Sequence, residues 1–145
     1  MLKKKLSRIL LVDDSEADNF IHKRRIDRAG VAEEVVVREN GRAALDYLTT
    51  HHASGNFPQP ELVFLDINMP VMNGWEFLEA YEQLPEEQKA GIVVTMLTTS
   101  AAGRDRDRAA GYSSVAAYEE KPLTEAKLLN IIRANFPELV DAAAE

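Results

Sequence analysis

The apolar positions of the chain fall into two patterns. Short unbroken runs, Ile9 to Val12, Val35 to Val37, Leu62 to Leu65, and Ile92 to Leu97 with Thr95 inside it, are too brief for a helix face and read as strands buried on both faces. A weaker fifth run, Val115 to Tyr118, precedes Lys121 and Pro122. Between the runs, apolar residues recur three and four positions apart: Ala44, Leu45 and Leu48; Gly74, Phe77, Leu78 and Tyr81; then Leu128, Leu129, Ile132 and Phe136. That spacing predicts helices. Asn40-Gly41 can cap or turn into the second helix, Pro58 and Pro60 close the loop before the third strand, and Gly30 and Gly111 stand where helices should stop. A strand and a helix thus alternate along the whole chain. The pattern implies an α/β fold, a doubly wound five-stranded parallel sheet with helices on both faces in three αβα layers, joined by right-handed crossovers.

Two segments fit this pattern less well. The first helix, Glu16 to Ala29, would bury a stripe of Ala17, Ile21 and Ala29, and Arg25 falls in the middle of that stripe with no evident reason. The fourth helix, around GRDRDRAAG, is nearly all charge before Ala109 and Ala110, so it is expected to be short, weakly held by its buried face, and mobile.

With 145 residues, 46% hydrophobic and 28% charged, the chain is expected to form one domain over residues 1–145. Its core should cover roughly residues 7 to 136, between a short basic N-terminal arm and a short C-terminal tail. A formal net charge of −7 opposes nucleic acid and anionic membranes, which leaves proteins and cations as partners. No window approaches a membrane span, and the apolar run after Lys3 to Lys5 is too short for a signal peptide. The absence of cysteine suits a reducing compartment, and the cytoplasm is the expected location.

The chemistry gathers where the strands end. The first strand ends at Asp13-Asp14, the third at Asp66, the fourth at Thr98 and the fifth just before Lys121. In a parallel sheet those ends share one edge, where ligands of open α/β folds bind. Taken singly, each residue has a plainer role: Asp13 a helix cap, Asp66 a turn residue, Lys121 a solvated loop lysine, Thr98 a strand threonine, Tyr118 a half-buried sheet tyrosine. Their convergence decides against those roles. Three carboxylates in one crevice must retain protons or be neutralised by a cation, and all-oxygen ligands favour Mg²⁺. Lys121 and the Thr98 hydroxyl add a charge and a donor suited to phosphoryl oxygens, with a carboxylate as nucleophile.

The motifs LVDD at Leu11 to Asp14, FLDINMPVMNG at Phe64 to Gly74, LTTS at Leu97 to Ser100, and Lys121-Pro122 stand in this order at those strand ends. In them, and over nearly its whole length, the chain resembles the receiver domains of two-component response regulators. The resemblance implies a strand order of 2-1-3-4-5. It also implies that Asp66 accepts a phosphoryl group from a phosphohistidine of a sensor histidine kinase or phosphotransfer protein. Asp13 and Asp14 resemble the pair that holds Mg²⁺, together with Asp66 and the backbone carbonyl of Asn68. Thr98 and Lys121 match the hydroxyl and ammonium that grip the phosphoryl oxygens, and Tyr118 the aromatic that turns inward when Thr98 moves. The Lys121-Pro122 bond is expected to be cis.

On this reading the chain is a phosphoacceptor signalling domain and not an enzyme. A shift of about 1–3 kcal/mol, within reach of two charge-assisted hydrogen bonds, would switch the surface of the fourth helix and fifth strand. Only PELVDAAAE follows the last helix, so a stand-alone receiver without an output domain is expected, acting by docking to a downstream protein, by relaying phosphate or by draining it from a kinase, with reversible docking the first choice. A homodimer through the fourth helix, fifth strand and fifth helix is a further expectation from the family.

Three rivals share parts of this pattern. A phosphatase of the haloacid dehalogenase type would carry a second acid two residues after its nucleophile, where this chain has Asn68. A scaffold that keeps only the fold should have lost site residues. A flavin carrier needs a phosphate-cradling loop after the first strand, where Asp13 and Asp14 would repel the phosphate. Gly41, Gly74 and Gly103 form no phosphate-binding fingerprint. His22, His51 and His52 are expected to be solvated, Trp75 to cover a helix edge, and Thr99 and Asn68 to flank the path of water into the site.

Overall fold

The computed structural model describes residues 4–51, 56–89, 92–99 and 103–139. His52, Ser100, Lys3 and the tail after residue 139 lie outside the described residues. Five strands, β1 (Leu6–Val12), β2 (Ala32–Arg38), β3 (Leu62–Leu65), β4 (Val93–Thr98) and β5 (Val115–Glu120), form one sheet in the order β2-β1-β3-β4-β5. Every neighbouring pair is parallel. The α/β architecture and strand order are those expected from the sequence.

Alternation along the strands divides the core in two. Leu10, Val12, Val63, Leu65, Val94 and Met96 face α2 (Gly41–Leu48) and α3 (Gly74–Glu82), against Ala44, Leu45, Leu48, Phe77, Leu78 and Tyr81. Leu6, Ile9, Leu11, Leu62, Phe64 and Leu97 face the other way, onto Ile26 of α1 (Glu16–Ala29) and Leu128, Ile131 and Ile132 of α6 (Glu125–Asn135). Burial on both faces holds for β3 throughout, and not for β2, whose Glu33 and Glu34 are exposed. An edge strand has a neighbour on one side only, so its outer residues reach water.

Helix boundaries follow local chemistry. Ser15 caps α1 by accepting from the Asp18 amide, and Gly30 closes it in the left-handed region at φ 65°, donating to the carbonyls of Ile26 and Asp27. Asn40 caps α2, and Asn73 with Glu76 forms a reciprocal capping box on α3. Gly74 has a further duty: a Cβ there would collide with the Asp66 carbonyl oxygen, so only glycine lets α3 start against the end of β3.

The helices differ from expectation in three places. A short helix, α4 (Glu86–Lys89), interrupts the connection before β4, and α5 (Gly103–Ala110) is the charged segment expected as the fourth helix. The face α1 buries is Asn19, His22 and Ile26, whereas Ala17 and Ile21 are exposed and Ala29 is half-buried. His22 is therefore a core residue and not a solvated one; His51 is exposed and its ring lies 4.2 Å from that of Phe57. Trp75 is buried rather than covering an edge, stacked on Tyr112 with the Arg108 guanidinium 4.4 Å above its ring.

Candidate functional site

The ladder of the sheet runs one residue past its apolar strands and carries the polar residues with it. The Asp13 amide donates to the Arg38 carbonyl at 3.0 Å, the Asp66 amide to the Val12 carbonyl at 2.9 Å, and the Lys121 amide to the Thr98 carbonyl at 2.6 Å. Asp13, Asp66, Thr98 and Lys121 thereby line the carboxyl edge in register. Behind Lys121 the peptide bond to Pro122 is cis, as the family resemblance implied.

Side chains from β1 and β3 then converge. Carboxylate oxygens of Asp13, Asp14 and Asp66 lie within 4.8 Å of one another. Asp13 is buried, Asp66 half-buried and Asp14 exposed, so the cluster opens to solvent on one side. The Lys121 ammonium reaches in from β5, 2.6 Å from Asp13 Oδ2 and 3.5 Å from Asp66 Oδ1. Asp13 Oδ1 accepts from the Ser15 amide at 2.9 Å, and the Asn19 amide group donates to the Asp13 carbonyl at 2.8 Å, which ties this carboxylate to the start of α1.

Charge crowding shows in the titration of the site. Burial, and then the Asp13 charge, push the Asp66 carboxyl up to about 6, against the pull of Lys121 and the Ile67 amide. For Lys121, burial favours the neutral amine, but hydrogen bonds to Asp13 and Asp18 and the charges of Asp13 and Asp66 outweigh it and hold the ammonium above its ordinary range. One ammonium among these carboxylates leaves net negative charge in a partly enclosed site. The donor set, all oxygen and short of positive charge, fits a hard divalent cation.

Thr98 is buried at the end of β4, and its side chain is hydrogen-bonded to Tyr118. The Tyr118 ring is buried too, with the Arg106 guanidinium of α5 5.1 Å from its centre. The threonine and the tyrosine are thus already in contact, with α5 fastened to the second of them. Asn68 and Thr99 are exposed beside the carboxylates and the lysine, in the loops after β3 and β4.

Three further residues belong to the site's support. Asp18 Oδ2 stands 2.9 Å from the Lys121 ammonium, whose hydrogen bond is the main cause that lowers the Asp18 carboxyl. His22 Nε2 accepts from the Leu123 amide at 3.3 Å, and Arg25 donates to the Leu123 carbonyl at 2.8 Å. Burial, and then the nearby Lys121 charge, lower the His22 imidazole, which keeps it neutral and able to accept. Spacing of i, i+4 and i+7 on α1 was the signal available for this group. The misassigned stripe of Ala17, Ile21 and Ala29 hid it.

Over residues 9–133 the chain matches the response regulator receiver domain model. The chain belongs to that family. Its relatives include the probable methanogenesis regulatory protein FilR2 of Methanothrix harundinacea, 37% identical over 117 residues that cover 80% of this chain and 72% of that protein. Among solved structures, a two-component response regulator from Cytophaga hutchinsonii superposes with a TM-score of 0.82 at 31% identity, covering 92% of this chain and 99% of that one. The Mn²⁺-bound form of response regulator Rcp1 superposes with a TM-score of 0.71 at 29% identity, covering 93% of this chain and 97% of that one. This receiver domain is a signalling domain of the two-component kind, a class that interacts with histidine kinases or phosphotransfer proteins. The dehalogenase-type phosphatase reading finds no support among these relatives. Among the described residues no helix is long and apolar enough to cross a membrane.

Proposed function

We propose that Asp66 is the phosphoacceptor of this receiver domain and that the described residues form one phosphorylation-driven docking switch. The donor is a phosphohistidine of a sensor histidine kinase or of a histidine phosphotransfer protein. An Asp66 carboxylate oxygen attacks the phosphorus; the new P–O bond forms as the P–N bond breaks, and the electron pair stays on the imidazole nitrogen, which takes its proton from solvent. Asp13, Asp14, Asp66 and the backbone carbonyl of Asn68 are the ligands that would hold Mg²⁺, whose charge, when bound, neutralises phosphoryl oxygens and favours the ionised Asp66. Lys121 donates to a phosphoryl oxygen on the opposite side.

The observation that carries this reading is the 3.5 Å between the Asp66 carboxylate and the ammonium of the half-buried Lys121, inside a cluster of two further carboxylates. Phosphorylation adds charge that the Thr98 hydroxyl can meet by turning from Tyr118 toward the phosphoryl group. Tyr118, released, carries Arg106 and α5 with it, and a downstream protein reads the altered surface. Asn68 cannot protonate a leaving group, so phosphomonoester hydrolysis with turnover is not part of the function. Incubation with a phosphorylated histidine phosphotransfer protein and Mg²⁺ tests the reading: one phosphoryl group per chain is expected, retained as an acid-stable, base-labile acyl phosphate. Multiple turnover of phosphomonoesters would contradict it.

A further inference from the structure

α1 presents Asp18, His22 and Arg25 on one face, and all three grip the segment Lys121-Pro122-Leu123. Both backbone hydrogen-bonding groups of Leu123 are taken by this helix, the amide by a histidine only 3% exposed and the carbonyl by Arg25. The loop that carries the lysine is therefore fixed to α1 as well as to the sheet, where the Lys121 amide donates to the Thr98 carbonyl. An ammonium has three N–H donors. Two of them point at Asp13 and Asp18, at 2.6 and 2.9 Å, and Asp66 stands beyond hydrogen-bond length at 3.5 Å.

The two partners of Lys121 are not equivalent. Asp13 belongs to the carboxylate cluster that fits a cation, and its Oδ1 is already engaged by the Ser15 amide, so a cation there competes with Lys121 for what remains of Asp13. Asp18 lies outside that cluster, so its carboxylate is not among those a cation there would draw on. We propose that Asp18 is a positioning residue acting through Lys121, holding the ammonium beside Asp66 when Asp13 turns to a cation, so that a remaining N–H meets the incoming phosphoryl oxygen. The inference rests on the assignment of Asp66 as phosphoacceptor. Without the Asp18 charge the ammonium follows Asp13, competes with the cation and leaves the phosphoryl position.

The test uses the full chain, radiolabelled acetyl phosphate and saturating Mg²⁺. Asp18→Asn keeps the side-chain shape and removes the charge; it should slow labelling about tenfold at saturating acetyl phosphate, and Asp18→Glu should restore most of the rate. In a Lys121→Ala background, read over hours, the same Asp18→Asn change should alter the rate by less than about twofold. Equal slowing in both backgrounds, or no slowing with the lysine present, overturns the inference. Asp66→Asn separates the two readings: if it labels like the wild type, the acceptor assignment fails; if it does not label while Asp18→Asn slows both backgrounds alike, only the role of Asp18 falls.

Discussion

The helices on either side of the site, α1 and α5, are fastened by different chemistry. α1 buries Asn19, His22 and Ile26 and is tied to the lysine loop by the hydrogen bonds of Asp18, His22 and Arg25. α5 buries Ala109 alone, and its other attachments include Arg106 over the Tyr118 ring and Arg108 over the Trp75 ring. A cation–π contact at an exposed site contributes about 0.5–1 kcal/mol, whereas breaking a buried, hydrogen-bonded ion pair costs several times as much. The difference separates two tasks. The α1 side holds Lys121 beside the carboxylates, and the α5 side can give way at small cost, which is what the proposed switch, driven by one or two hydrogen bonds, would require.

The largest effect is expected from breaking the firm side. Lys121→Ala leaves Asp13, whose side chain is 7% exposed, without its counterion. Metal-free protein should lose about 3 kcal/mol in urea unfolding, with part regained on adding Mg²⁺. A loss no larger than that of an exposed lysine would erase the contrast between the two sides.

A second, smaller effect concerns pH. In metal-free protein the Asp66 carboxyl titrates at about 6 when folded and near 3.8 when unfolded. The folded state therefore binds this proton more tightly, and the stability Asp66 contributes is fully present below about pH 4 and falls as pH rises to about 6. Asp66→Asn should remove that fall and stabilise the metal-free protein at pH 7 by about 2 kcal/mol. Melting curves in EDTA between these pH values check it; a stability that rises through this window in the wild type and not in the variant would contradict the crowding of charge at the site.

The smallest effect belongs to the loose side. Arg106→Ala should cost about 0.5–1 kcal/mol in global stability. Amide exchange should quicken over Gly103–Ala110 and stay unchanged over Glu16–Ala29. The fluorescence of Trp75, which is the only tryptophan in the chain, should shift as Arg108 moves with α5. Faster exchange in both helices would mean that they are not independently held.

Legibility in the sequence followed the same division. Strands β1, β3 and β4 announced themselves because both their faces are apolar, and the polar residues at their ends could be placed once a parallel sheet was inferred. β2 was harder to read as an edge, since Val35, Val36 and Val37 look like a central run until its neighbours are known. α1 was misread because its buried face is polar: Asn19 and His22 are inside to serve Asp13 and Leu123, and periodicity counts only apolar residues. Arg25, without a role in the pattern, is explained by the Leu123 carbonyl, a partner 98 residues away that no local spacing reveals. Trp75 was misplaced for a similar reason, as its cover comes from Tyr112 and Arg108. The charged α5 was readable as weakly held, because Ala109 and Ala110 are all the apolar surface it has beyond Gly103.

The central claim is that Asp66 receives the phosphoryl group, and a transfer assay with a phosphorylated histidine phosphotransfer protein tests it most directly. With Mg²⁺ present, wild-type chain should become labelled to one phosphoryl group per molecule while Asp66→Asn stays unlabelled, although its amide keeps the shape of the site. Equal labelling of the variant would place the acceptor elsewhere and contradict the account.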